Sequence, residues 1–346
     1  MKKQREIVQV IDYGGTTGGS FIPALCTLAG AVRERGDRFC VLATPVAEST
    51  WPDELRSCGA DVRFVSGERQ CAEVLRAMQA DVVHSHFTRY DIAAASTGAR
   101  VFWHVHSFRE QRSTLAELRA RIKYRLLSRN VHAWICVSKG VQREILARGA
   151  AHSRTHVVHN GIDVDRFRPA SPEQRREARR QFGIGDGDSV LLFFDRTPIK
   201  GGTTLREALA DLPGHRLLVT GGARADWEAF AQRYDVTISP RLADPRSLYW
   251  AADALAMPSH GEGFSYVLAE AAACGLPIAA SDIAPVREIL GGVDDVFPAP
   301  VGDPRELARA IARALGCKRL YAGRERIVQS FSVERWAGDL LHLYDA

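Results

Sequence analysis

The chain has 346 residues, 46% of them apolar and 25% charged, with a formal net charge of +5. That length fits two domains of about 150–200 residues each, and the composition excludes a disordered chain. The mild positive charge suits anionic small ligands but lacks the dense basic signature of a nucleic-acid binder, so no nucleic-acid partner is expected.

Short runs of Val, Ile and Phe without polar alternation are separated by helical patterns, which predicts parallel strands covered on both faces. In the first half these runs fall at 7–11, 39–43, 62–65, 82–84, 101–105, 133–137 and 156–158, with helices between them, for example at 20–35 and 140–148. The first run leads into a glycine-rich turn, Tyr13-Gly14-Gly15-Thr16-Thr17-Gly18-Gly19-Ser20. A dinucleotide fingerprint needs Gly at position 16, and a nucleoside-triphosphate loop needs Lys after Gly19, so the turn is neither. Its amides still suit close approach of an anion at a helix N-terminus; a bare tight turn is the alternative.

Residues 115–130 place Leu115, Leu118, Ile122 and Leu126 at helical spacing, bordered by Arg119, Arg121, Lys123, Arg125 and Arg129. Such a helix can make peripheral contact with an anionic membrane. The expectation is the plainer one, a stripe facing the core with solvated arginines. A break follows at 165–172, which carries two prolines, and the highly charged stretch 173–181 reads as a linker with a short helix.

The strand pattern then restarts at 190–194, 217–220, 236–238, 254–257, 278–280 and 295–297, and helices at 304–315, 319–329 and 333–344 close the chain. Two doubly wound domains are predicted, at 1–168 and 169–330, with a closing helix at 331–346 that packs back on the first. Ligands of such sheets bind at the carboxyl ends of strands.

Seven Cys are present and none has C-x-x-C spacing, so buried reduced thiols are expected. The N-terminal apolar run is too short for a signal peptide, and no apolar run reaches the ~18 residues of a membrane span. A cytoplasmic protein is the expectation.

The chemistry concentrates in two strings. Residues 258–277 read PSHGEGFSYVLAEAAACGLP. Gly261 and Gly263 flank Glu262 in a loop after a strand, and a helix begins near Phe264 or Ser265 with Glu270 inside it. The free amides of its first turn suit a diphosphate, and the two carboxylates suit sugar hydroxyls. The second string is Phe194-Asp195-Arg196-Thr197-Pro198-Ile199-Lys200-Gly201-Gly202, a strand end followed by two cations and a glycine pair. With only six Lys among 46 basic residues, Lys200 stands out.

These strings resemble the retaining family-4 glycosyltransferases of the GT-B fold, whose E-x7-E signature stands here as Glu262 and Glu270. The resemblance implies an α/β fold of two Rossmann-like domains with parallel sheets facing a central cleft. It implies that a sugar, of hexosyl type, moves with retention from a nucleotide-diphosphate sugar to an acceptor hydroxyl on a lipid, a polysaccharide or a small natural product. The donor is a co-substrate, and no resident cofactor is expected. Glu262 would contact the donor sugar and Glu270 the nucleotide ribose. The backbone at Gly263, Phe264, Ser265 and Tyr266 would hold phosphate and sugar, and Arg196 and Lys200 would pair with the diphosphate. The 102–107 string looks like the family strand that ends in a histidine near the donor phosphate, which assigns His106 to the site beside the Gly15 turn. His104 points to the same face.

Further similarity runs through 80–86, 137–139, 158–163, Ser281-Asp282 with Glu288, and 331–344. The chain departs from the family where Asp195 replaces a common Gly and where the Arg196-to-Lys200 spacing is one residue short. No metal is expected, because Arg and Lys supply the charge. Asp163-Val164-Asp165 and Asp186-Gly187-Asp188 spell D-x-D but read as capping and turn residues. An epimerase or a non-catalytic partner subunit on the same fold are the competing readings, since fold does not fix function.

Overall fold

In the computed structural model, residues 3–106, 114–318 and 321–346 are described. Ser107 and the first two residues of the helix expected at 319–329 lie outside them. Two compact units result: Met1–Gly161 joined by Val333–Ala346, and Ile162–Ser332.

The first unit holds β1 (Glu6–Ile11), β2 (Arg38–Ala43), β3 (Asp61–Phe64), β4 (Val82–His86), β5 (Arg100–Val105), β6 (Ala133–Cys136) and β7 (Thr155–Val157). The second holds β8 (Val190–Asp195), β9 (Arg216–Gly221), β10 (Val236–Ser239), β11 (Ala254–Met257), β12 (Ile278–Ser281) and β13 (Val296–Ala299). Every predicted strand is present, and the ends differ from expectation by one or two residues. The sheet orders are β3-β2-β1-β4-β5-β6-β7 and β10-β9-β8-β11-β12-β13. Pairing is parallel, as in Ile7 opposite Val82, His86 opposite His104 and Leu255 opposite Leu192.

The pattern of buried residues explains the layers. The helix Phe21–Glu34 buries Phe21, Ile22, Leu25, Leu28 and Val32, which recur at helical spacing. The helix Val333–Asp345 adds Trp336, Leu340, Leu341 and Tyr344 to the same core. Leu191, Phe193, Leu217, Trp227 and Ile311 build the core of the second unit. Burying each such aliphatic or Phe side chain contributes roughly 1.5–3 kcal/mol. In each sheet strand order reverses once, beside β1 in the first and beside β8 in the second. A crevice opens there at the carboxyl ends of the strands.

Two expectations are corrected. On the helix Thr114–Leu127 the leucine stripe faces outward: Leu115, Leu118, Ile122 and Leu126 are 56%, 53%, 48% and 72% exposed. Ala120 and Tyr124 face the core instead, with Tyr124 edge-on to Trp103 at 5.8 Å. Lys123 secures this face by reaching the buried Asp91 at 2.7 Å. Periodicity marks an amphipathic stripe without saying which side meets the core.

The second correction concerns the thiols. Cys26 and Cys58 form a disulfide with Cα atoms 5.4 Å apart, joining the helix Phe21–Glu34 to the end of the helix Trp51–Ser57. Cys40, Cys71, Cys136 and Cys274 are buried thiols outside any disulfide, as expected, and Cys317 is a thiol too but only half-buried.

The short charged linker helix is present as Pro172–Gln181, which Ser171 and Gln174 start with a capping box. Its Arg179 turns inward. It is 2% exposed and donates to the carbonyls of Gly185 (2.5 Å), Asp188 (2.7 Å) and Ala251 (3.1 Å), with Asp253 at 3.5 Å.

Candidate functional site

In the second unit six of the predicted residues converge. Arg196, Lys200, Glu262, Phe264, Ser265 and Tyr266 line one open pocket of about 590 Å³, with Phe193, Phe194, Met257 and Ser259. It sits at the carboxyl ends of β8 and β11, where strand order reverses.

Local geometry explains how residues from two loops meet. After β8 the chain makes a single 3₁₀ turn, Pro198–Lys200, that stops at Gly201 with φ +79°. A Cβ on Gly201 would lie 2.1 Å from the Pro258 carbonyl oxygen. Only glycine allows this approach, and it lays the Lys200 loop against the end of β11. The His260 amide donates to the Ile199 carbonyl at 2.8 Å and ties the two loops. Lys200 Nζ then meets Glu262 Oε1 at 2.6 Å, with Ser259 Oγ on the same oxygen at 2.8 Å. The Glu262 side chain is 8% exposed and that of Lys200 is 21% exposed. A partly desolvated pair of this kind is held more firmly than a surface one. Arg196 lies exposed at the pocket edge, over the Phe194 ring at 5.9 Å. Two cations against one carboxylate leave the pocket positive.

The loop after β11 ends where Ser265 caps the helix Tyr266–Ala273, accepting from the Leu268 amide at 3.4 Å. That start matches expectation and turns the first amides of the helix toward the pocket side. Gly263 sits in this loop, half-buried, between Glu262 and the Phe264 ring that packs at 5.6 Å against Tyr266. Glu270 is one turn deeper. It is 4% exposed and lies outside the pocket lining, where Tyr249 Oη donates to Glu270 Oε2 at 2.5 Å. Burial and the adjacent carboxylate push the Tyr249 hydroxyl well above its ordinary pKa, so it stays a donor.

Gly15 and His106 belong to the first unit. A Cβ on Gly15 would come within 2.8 Å of the Tyr13 ring, and the Gly15 carbonyl accepts from Trp51 Nε1 at 3.0 Å. Tyr13 packs on Phe21 at 5.7 Å and on Phe87 at 6.2 Å, and those two rings contact His106 at 5.3 and 4.6 Å. One aromatic layer therefore connects the glycine turn with His106. Phe87 and Thr88, just past β4, both take φ +65°, a costly conformation for such residues and one that collects at functional sites.

His106 follows β5 directly and is half-buried. His104 does not reach an open surface: it is 1% exposed, and neither of its nitrogens has a partner among the described residues. With His84 and His86 of β4 the two form a stacked quartet, ring centroids 4.2–5.1 Å apart. Burial, and then their mutual repulsion, hold His84, His86 and His104 well below the ordinary imidazole range. Burial pushes His106 down to about 3; its part-open edge makes it the least firmly held of the four.

Nitrogens of His84, His86 and His104 lie within 4.8 Å of one another, which invites a metal. The bonding does not fit one. Both His86 nitrogens are engaged, by His106 at 2.8 Å and by Gln9 at 2.9 Å. The His84 and His104 rings stack at 4°, so one ion cannot lie in both planes. The two D-x-D strings act as turns: Asp163 Oδ1 accepts from the Arg166 amide and Asp188 Oδ2 from the Gly185 amide, each at 2.8 Å.

Sequence reasoning missed Tyr249, which carries no motif and lies 21 residues from its partner Glu270. It also missed what Asp195 does. Trp227 Nε1 donates to Asp195 Oδ2 at 2.8 Å, and a Cβ on Gly222 would lie 2.3 Å from that oxygen, so the carboxylate is packed into the base of the loop. The neighbouring glycines 201, 202, 221 and 222 were the available signal.

Comparison with known proteins accords with this layout. Residues 25–166 match the family described as Glycosyltransferase Family 4, and residues 188–316 match Glycosyl transferases group 1. The chain is 34% identical over 57% of its length to a D-inositol 3-phosphate glycosyltransferase of Xylanimonas cellulosilytica, covering 52% of that protein. A namesake from Geodermatophilus obscurus is 35% identical over 57% of the chain and 48% of its own length. The chain thus spans about half the length of the curated relatives it matches. Among solved structures, Anabaena HepE in complex with UDP and glucose superposes with a TM-score of 0.84, at 20% identity, over 99% of this chain and 100% of that one. A Rickettsia africae glycosyltransferase gives 0.83 at 18% identity over 99% and 98%. These likenesses establish the GT-B fold.

Proposed function

As the chain belongs to the glycosyltransferases of family 4, we propose that it transfers a hexosyl group from a nucleoside-diphosphate sugar to an acceptor hydroxyl with retention of configuration. The observation that carries this reading is the positive pocket where Arg196 and the Lys200–Glu262 pair face the capped start of the helix Tyr266–Ala273. A diphosphate there competes with Glu262 for Lys200 and takes up Arg196 and the helix amides, which frees the Glu262 carboxylate to accept from sugar hydroxyls. Glu270, held by Tyr249, is assigned to the ribose.

The bond from the anomeric carbon to the diphosphate breaks, and its electron pair leaves with the phosphate oxygen. The acceptor oxygen bonds to the same face of that carbon and passes its proton to the departing diphosphate. The protein positions the reactants and stabilises charge, and Arg196 and Lys200 take the part a metal would otherwise take. The HepE structures carry UDP and UDP-glucose, which makes a UDP-sugar the first donor to try. The relatives' name makes an inositol phosphate the first acceptor.

The outward stripe of Leu115, Leu118, Ile122 and Leu126, bordered by Arg119, Arg121, Arg125 and Arg129, supports peripheral contact with an anionic membrane at its cytoplasmic face. Co-sedimentation with anionic but not neutral vesicles, lost in Leu118→Asp, is the expected result. The activity is tested by incubating α-linked UDP-sugars with an acceptor panel in EDTA and reading the product's anomeric coupling by NMR. An α-linked product is expected. A β-linked product, or transfer that needs added Mg²⁺, overturns the corresponding part of the proposal.

A further inference from the structure

Inside the first unit a hydrogen-bond chain runs from His106 to the C-terminal helix. His106 Nε2 and His86 Nδ1 are 2.8 Å apart, and His86 Nε2 lies 2.9 Å from Gln9 Oε1. Gln9 Nε2 donates to Tyr344 Oη at 3.2 Å, and Tyr344 Oη lies 2.5 Å from His84 Nδ1. Gln9, His84, His86 and Tyr344 are fully buried. Phe21, Phe87, Phe102 and His104 pack around the rings, and no carboxylate contacts them among the described residues.

In this setting the proton positions are not independent. A neutral imidazole has one N–H and one bare nitrogen. With the Gln9 amide oriented as it lies, its carbonyl toward His86 and its NH2 toward Tyr344, His86 carries its proton on Nε2 and accepts through Nδ1. His106 must then donate through Nε2–H, which leaves its Nδ1 bare. Tyr344 accepts from the Gln9 amide and donates its own proton to His84. Every donor in the chain points away from His106, through His86 and Gln9 to Tyr344 on the C-terminal helix and on to His84.

We propose that Gln9 and Tyr344 are positioning residues that fix the tautomer of His106, leaving its Nδ1 bare, a hydrogen-bond acceptor for a ligand that meets the ring. The group met there is a hydroxyl or an N–H; the lone pair of Nδ1 repels a phosphate oxygen. Selection among ligands follows from a residue on β1 and one on the last helix, neither of which touches a ligand. The ligand part of this inference rests on the transferase reading of His106; the tautomer does not.

The experiment is long-range ¹H–¹⁵N NMR of the histidine rings in the full-length ¹⁵N-labelled protein, without substrate. His86 and His106 are expected as single Nε2–H tautomers. Gln9→Met removes the fixed acceptor at similar volume, and both tautomers are then expected at His106. Gln9→Glu gives the opposite signature: its carboxylate stabilises doubly protonated His86, whose Nδ1–H now donates, and His106 inverts to the Nδ1–H form. A structural role for Gln9 would not produce that inversion. An Nδ1–H His106 in the wild-type protein, or tautomers unchanged in Gln9→Met, overturns the proposal. If either variant fails to fold, the wild-type spectrum alone decides. Absence of sugar transfer would sink the functional reading while leaving this result standing.

Discussion

Acid should loosen the first unit through its histidine quartet. His84, His86 and His104 are held neutral in the fold by burial, whereas the unfolded chain protonates them below a pKa of about 6.5. Their folded pKa values are depressed, so the stability tied to them is fully present above about pH 6.5 and is lost as pH falls below it. At pH 5 each neutral buried ring costs about 2 kcal/mol relative to its protonated unfolded form. Three rings together approach 6 kcal/mol, a large part of a typical total of about 5–15 kcal/mol. His106, which burial holds at about 3, is also neutral in the fold at pH 5 and adds a similar amount.

The assay is urea unfolding followed by tryptophan fluorescence from about pH 8 to pH 5. Trp103 and Trp134 report on β5 and β6 of this unit. Toward pH 5 the slope of stability against pH should correspond to uptake of about four protons on unfolding, one for each ring of the quartet. His104→Leu removes a ring with no partner among the described residues. That variant should lose one proton from the slope and gain about 2 kcal/mol over the wild-type protein at pH 5. A stability curve flat between neutral pH and pH 5, or quartet histidines that titrate near 6.5 in the folded protein, would refute the reasoning.

Other outcomes follow from single contacts. Arg179→Ala leaves the carbonyls of Gly185, Asp188 and Ala251 without their donor, and should cost about 3–5 kcal/mol in the unfolding of the second unit. Gly201→Ala meets both φ +79° and the Pro258 oxygen. It should cost at least about 1–3 kcal/mol and displace Lys200, read as a lower thermal midpoint together with weaker nucleotide binding. Tyr249→Phe strips a donor from the buried Glu270, with an expected loss of about 1–3 kcal/mol by denaturant titration.

The strands were legible because a sheet covered on both faces leaves runs of Val, Ile and Phe, and the glycine breaks mark the turns. The pocket was legible because loop glycines, a serine cap and two carboxylates lie within one short string. What stayed hidden depends on distance in the chain or on direction. Tyr249 meets Glu270, Cys26 meets Cys58 and Trp227 meets Asp195 only after folding. The stripe from Leu115 to Leu126 has the right period for a core face, but Tyr124 and Lys123 take that place. The burial of Arg179 was not announced, because its partners are mainly backbone carbonyls, which no sequence pattern marks.

The most direct test of the account is calorimetric titration of the wild-type protein and Lys200→Ala with UDP, GDP and ADP in EDTA. The account predicts that one diphosphate binds the wild-type protein without metal. Loss of the charge-assisted contact should weaken it about 10–100-fold in Lys200→Ala, the equivalent of about 1.5–3 kcal/mol. Failure of all three to bind folded protein, or equal affinity in the variant, would contradict a donor site built on the Lys200–Glu262 pocket.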